Sequence, residues 1–100
     1  MKRQPLSNGS WFDLDKATKY GEDSWWDGSN HVSKATGSKT EHEALYRTAK
    51  GKWVLNCWSQ WQGTIETWEI IDEDEAARWL SRNNCDFPAE MEPLIAEMEI

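Results

Sequence analysis

Eight of the 100 residues are tryptophan, against six Leu, five Ile and two Val. So few aliphatics cannot fill a core for a chain of this length, so several indole rings must be core. The length corresponds to one domain, residues 1–100, whose core has to be dense. What the fold must settle is which tryptophans are inside and which stay on the surface.

The clearest pattern begins at Ala44. Residues 44–49 and 52–58 are strand-like runs joined by Lys50 and Gly51, which reads as a β-hairpin. A two-residue loop pairs Thr48 with Trp53, Tyr46 with Leu55 and Ala44 with Cys57, and places these residues on one apolar face. Leu45, Arg47, Lys52, Val54 and Asn56 then form a mixed face. A bulged three-residue loop would slip that register by one, so the clean face favours the tight turn. Gln62 and Gly63 signal the next turn, and residues 64–71, rich in β-branched and aromatic side chains, read as a third strand antiparallel to the second.

Asp72, Glu73, Asp74 and Glu75 then announce a helix. Asp72 is placed as its N-cap with Glu75 reaching back, and carboxylates suit the positive end of the helix dipole. Ala76, Trp79 and Leu80 share a face that should lie across the sheet, and Asn83 and Asn84 end the helix. Beyond Phe87 and Pro88, the stripe Met91, Leu94, Ile95 and Met98 marks a short helix within 88–100. Such a stripe serves as core cover or as the contact of a homodimer.

The expected fold class is therefore α+β: a three-stranded antiparallel β-meander packed against a C-terminal helix, with residues 44–83 as the core. Residues 1–43 read as a loop-rich N-terminal arm, punctuated by turn formers at 7–10, 21, 27–30 and 36–38 and pinned by aromatics. Residues 1–10 are expected to be mobile, and residues 13–20 offer one or two helical turns capped by Asp13 or Asp15.

Charge is unevenly placed. Residues 1–52 carry nine Lys or Arg and seven Asp or Glu, whereas 53–100 carry two Arg and eleven Asp or Glu, for a net charge of −7. An acidic half disfavours non-specific contact with nucleic acid or anionic membrane and suits a basic partner surface. The longest apolar runs are far short of the ~20 residues of a membrane span, and no signal peptide is evident behind Lys2 and Arg3. Two cysteines make no disulfide framework, so reduced thiols and a cytoplasmic location are expected.

Chemistry-bearing motifs are few. His31, His42, Cys57 and Cys85 have the count of a zinc site but none of its short spacings, so no metal is expected. No glycine loop cradles a phosphate or a dinucleotide, so no cofactor is expected either. No catalytic residue is assigned; the weakest alternative is an enzyme using His42 with Glu41 or Glu43.

Three stretches of this sequence, residues 45–55 (LYRTAKGKWVL), 58–63 (WSQWQG) and 75–80 (EAARWL), resemble a group of short uncharacterised bacterial proteins. The resemblance spans about residues 11–87. It implies a bacterial, soluble, one-domain protein and supplies no functional residue.

The candidate binding residues are aromatics beside amides: Trp58, Gln60 and Trp61, with Trp25 and Trp26 as a second surface. The expectation is a non-enzymatic interaction protein of the antitoxin, anti-defence or regulatory-subunit type. The carboxylates of Asp72, Glu73, Asp74 and Glu75 would steer a protein with a basic surface. The alternative is a binder of small ligands or single-stranded nucleic acid, with bases or sugars stacked on Trp25, Trp26 or Trp61 and phosphates touched by Arg47, Lys50 and Lys52. The overall acidity opposes that alternative.

Overall fold

The structure is a computed structural model that describes residues 1–38, 40–60, 63 and 65–100. Its strands are β1 (Arg3–Pro5), β2 (Trp11–Asp13), β3 (Thr18–Gly21), β4 (Ser24–Trp26), β5 (His31–Ser33), β6 (Glu41–Arg47), β7 (Trp53–Ser59) and β8 (Thr67–Ile71). Its helices are α1 (Glu73–Arg82) and α2 (Glu92–Ala96), the latter entered through a 3-10 turn at Ala89–Met91. The class is α+β with antiparallel pairing, as expected. The strand count is a correction. The meander β6–β7–β8 gains a fourth strand from the N-terminal segment, in the order β3-β6-β7-β8, and two further two-stranded ribbons form, β1–β2 and β4–β5. Within residues 13–20 the helical tendency reduces to a single 3-10 turn, Leu14–Lys16, capped by the Asp13 side chain.

The hairpin register is a second correction. Tyr46 pairs with Val54, Leu45 with Leu55, Ala44 with Asn56 and Arg47 with Trp53, one residue away from the tight-turn expectation. The loop is the three-residue form: the Thr48 N–H donates to the Lys52 carbonyl (2.9 Å) and the Gly51 N–H to the Thr48 carbonyl (2.9 Å). Gly51 has φ +83°, the left-handed position such a bulged loop requires, and glycine takes it without steric cost.

Each face of the sheet is covered by something different. Leu45, Trp53, Leu55 and Ile71 face α1, where Ala76, Ala77, Trp79 and Leu80 complete the main core. Met91 is buried in this same core at 2% exposure, and Leu94, Ile95 and Met98 pack against it, so the stripe considered for a homodimer covers the chain's own core. On the other face, Phe12 of β2 packs on Tyr46 and Trp68, with ring centroids 6.0 and 5.9 Å away. The Ser7 N–H also reaches the Trp68 carbonyl (3.1 Å), occupying an acceptor on the edge strand β8.

α1 begins on a side-chain cap and ends on a backbone motif. Asp72 is the N-cap, its carboxylate accepting from the Glu75 N–H at 2.8 Å. At the other end the Cys85 N–H donates to the Leu80 carbonyl (3.0 Å) and the Asn84 N–H to the Ser81 carbonyl (3.2 Å), the paired bonds of a Schellman motif. Asn84 sits at φ 53°, in the left-handed region. Asn84→Gly is therefore expected to raise stability by about 0.5–1 kcal/mol, read as a higher urea midpoint at unchanged m-value; a lower midpoint would contradict the motif's strain.

Candidate binding surface

β4 follows β3 after only Glu22 and Asp23, a break that turns the chain out of the main sheet into the β4–β5 ribbon. Within the ribbon Trp25 pairs with Val32 and Trp26 with His31. Neighbouring side chains on a strand point to opposite faces, yet Trp25 is 50% exposed and Trp26 60% exposed. Neither ring is used as core. Trp26 touches His31 edge-on at 5.0 Å.

An isolated two-stranded ribbon is marginal in water, so its ends need anchors. The tip is closed by Asp27, whose carboxylate accepts from the Ser29 N–H (2.8 Å) and the Asn30 N–H (2.7 Å). The base is tied to the body twice. Asn83, the buried C-cap of α1, accepts from the Asp23 N–H (3.0 Å) while its amide donates to the Trp79 carbonyl (2.9 Å). Asp23 in turn pairs with Lys34 at 3.0 Å, and that side-chain bond, with the Ser24 N–H, holds its carboxyl below the usual carboxylate range.

The second anchor is Glu22, whose carboxylate is a hub. One oxygen accepts from the Ser33 hydroxyl (2.7 Å) and the Glu43 N–H (2.8 Å), and the other meets His42 Nδ1 at 2.5 Å. It takes up the Glu43 N–H just beyond the point where β3 stops pairing with β6 at Gly21. Cross-strand from His42 lies Trp58, stacked on it at 5.8 Å and part-buried. A cleft of about 340 Å³ opens there, lined by Thr36, His42, Cys57, Trp58 and Ile65.

Trp25 and Trp26 are presented on the ribbon, while Trp58 is part-buried against His42 and Gln60 is exposed just beyond β7. Trp61 lies outside the described residues. Asp72, Glu73, Asp74 and Glu75 are exposed on the first turn of α1. The ribbon is anchored at the opposite end of that ten-residue helix, about 15 Å away at the helical rise of ~1.5 Å per residue. The Trp25–Trp26 ribbon and the acidic turn are thus anchored at opposite ends of α1. Sequence reasoning missed Glu22 and Ser33, which no local spacing marks, since Glu22 reaches 11 residues to Ser33 and 20 to His42, and it read Asn83 as a helix stop but not as an anchor of the ribbon.

The geometry does not support the alternative that pairs His42 with Glu41 or Glu43. The His42 partner is Glu22, whereas Glu43 accepts from the Trp79 indole N–H (3.0 Å) and the Cys57 thiol (3.6 Å). His42 Nε2 is buried with no hydrogen-bond partner among the described residues. Among those residues no three His, Cys, Asp or Glu side chains converge as metal ligands. Burial, reinforced by the Glu43 carboxylate, pushes the Cys57 thiol up to about 11, far from a thiolate nucleophile at neutral pH.

That shift has a consequence for stability. The ordinary thiol value is 9.0, so on raising the pH the unfolded chain loses this proton first. Stability from Cys57 is whole below pH 9 and is lost as pH rises toward 11. The part-exposed thiol is screened by solvent, which discounts the loss to about 1 kcal/mol. Comparing urea midpoints at pH 8 and pH 10.5 should show wild type losing more than Cys57→Ala; equal losses would refute it.

No protein-family model, no curated protein and no solved structure matches this chain. No helix among the described residues is long and apolar enough to cross a membrane.

Proposed function

We propose that this is a non-enzymatic interaction protein, of the antitoxin, anti-defence or regulatory-subunit type, that binds another macromolecule through Trp25 and Trp26. One observation carries the reading: two adjacent tryptophans on opposite faces of one strand are both half-exposed or more, in a chain short of core-forming side chains. Large apolar surface left out of such a core is characteristic of a contact site. Anchoring at tip and base supports it further, because a preorganised ribbon loses little entropy when it docks. The partner is a protein with a basic surface, matched to the net charge of −7. The acidic first turn of α1 contributes to long-range attraction rather than to the contact itself.

The test is affinity capture with wild type and with the double variant Trp25→Ser/Trp26→Ser, after far-UV circular dichroism confirms that both are folded. Interface tryptophans typically contribute 2 kcal/mol or more, so the captured partner should bind the variant more than about 30-fold more weakly. A partner held equally well by both proteins sinks the proposal. Oligonucleotides and oligosaccharides should leave the tryptophan fluorescence flat; a saturable response to either would favour a stacking binder instead.

A further inference from the structure

The cover on the second face of the sheet is incomplete. Phe12 closes the half formed by Tyr46 and Trp68, and between the β1–β2 ribbon and the β6–β7 loop a cleft of about 700 Å³ stays open. That volume lies within the range of small-molecule sites, about 300–1,000 Å³. Leu6, Phe12, Val54 and Ile70 supply apolar lining, with Trp11 beside them. Val54 is fully buried at the floor, whereas Trp11 and Ile70 are each 48% exposed at the opening.

The polar part of the lining is cationic. Lys16, Lys50 and Lys52 all border the cleft, and none forms a salt bridge among the described residues. Three ammonium groups around one apolar recess, of which Lys16 interacts electrostatically with Asp13 while Lys50 and Lys52 form no salt bridge among the described residues, are out of keeping with a molecule of net charge −7. One carboxylate, Asp13, also lines the site, but its Oδ1 already accepts from the N–H groups of Lys2 (3.1 Å) and Asp15 (3.0 Å). The site thus combines an apolar floor with a basic rim. Its chemical complement is a molecule with an apolar body and one anionic head.

We propose that this cleft binds an alkyl carboxylate, its chain lying on Leu6, Trp11 and Ile70 and its head among Lys16, Lys50 and Lys52. The occupant is a single soluble amphiphile rather than a bilayer surface. The floor is recessed between two hairpins, and the acidic molecule as a whole is repelled by an anionic membrane. The inference is independent of the β4–β5 ribbon, none of whose residues lines the cleft.

Isothermal titration with decanoate, kept below its micelle concentration, is the test. Saturable one-to-one binding is expected. Octanoate should bind up to about 15-fold more weakly, since each buried methylene is worth up to about fourfold. Decanol, with the same chain and no charge, should bind more weakly than decanoate. Lys50→Glu/Lys52→Glu, two exposed positions on a surface loop, should weaken decanoate about tenfold, with an unchanged circular dichroism spectrum and melting temperature. Ile70→Glu should weaken it through the apolar side of the site. The proposal is overturned by non-saturable binding, by equal affinity for decanol and decanoate, or by indifference to the lysine reversals. Co-sedimentation with phosphatidylglycerol vesicles would overturn it too, by making a lipid surface the occupant.

Discussion

Replacing Trp79 by alanine is expected to lower the unfolding free energy by about 3–5 kcal/mol, a large share of the ~5–15 kcal/mol typical of a domain. Trp79 is 3% exposed and lies where α1 crosses the sheet, in one cluster with Leu45, Trp53 and Leu80. Removing the ring leaves a cavity that the helix cannot close, because Asp72 and Asn83 fix both its ends. It also strips the Glu43 carboxylate of its indole donor. Phenylalanine separates the two effects. Trp79→Phe keeps much of the apolar area but leaves Glu43 without that bond, so it should cost about 1–3 kcal/mol. Urea unfolding followed by far-UV circular dichroism reads both. A loss below about 1 kcal/mol for the alanine variant would mean that α1 is not the lid of the core.

How much of this was legible in the sequence depends on how local each interaction is. The Asp72 cap, the buried face of α1 and the asparagine stop are contacts over three to five residues, and all three occur where expected. The hairpin was legible as well, but its register was not. The criterion was one clean apolar face, and that criterion fails when both faces are covered. Leu45 and Val54 lie on opposite faces and are both at 0% exposure, so alternation no longer says which side is core. What decides the register is the left-handed Gly51, which draws Ala49 into the loop.

The N-terminal strands escaped because they are only three or four residues long, and β3 in addition pairs across a long separation, Tyr20 with Leu45. The candidate site divides in the same way. Trp25 and Trp26 stand out by residue type alone. Their anchors do not: Glu22 and Asp23 look like a solvated acidic pair until Ser33, His42 and Asn83 are brought to them.

Glu22 is where stability and the proposed function meet. Glu22→Ala is expected to cost about 2–4 kcal/mol, because it leaves the Ser33 hydroxyl, the Glu43 N–H and His42 Nδ1 without their shared partner. Ser33 is 2% exposed, so water cannot readily replace the lost bond. The loss should also be local: Ser33 ends β5, and hydrogen exchange at its amide and at that of Glu43 should speed up more than in the centre of β7. Glu22→Gln distinguishes geometry from charge. Its carbonyl oxygen can still accept from Ser33 and Glu43, and its amide can face His42 Nδ1, so a cost of about 1 kcal/mol is expected. If glutamine costs as much as alanine, the charge of the carboxylate holds the hub rather than its acceptor geometry. Glu22 is recessed and not part of the exposed aromatic pair, yet its removal should weaken capture of the partner, because a ribbon freed at its base must be ordered again on docking. Unchanged capture by a Glu22→Ala protein whose ribbon amides exchange freely would show that the preorganisation argued for Trp25 and Trp26 is not what gives them affinity.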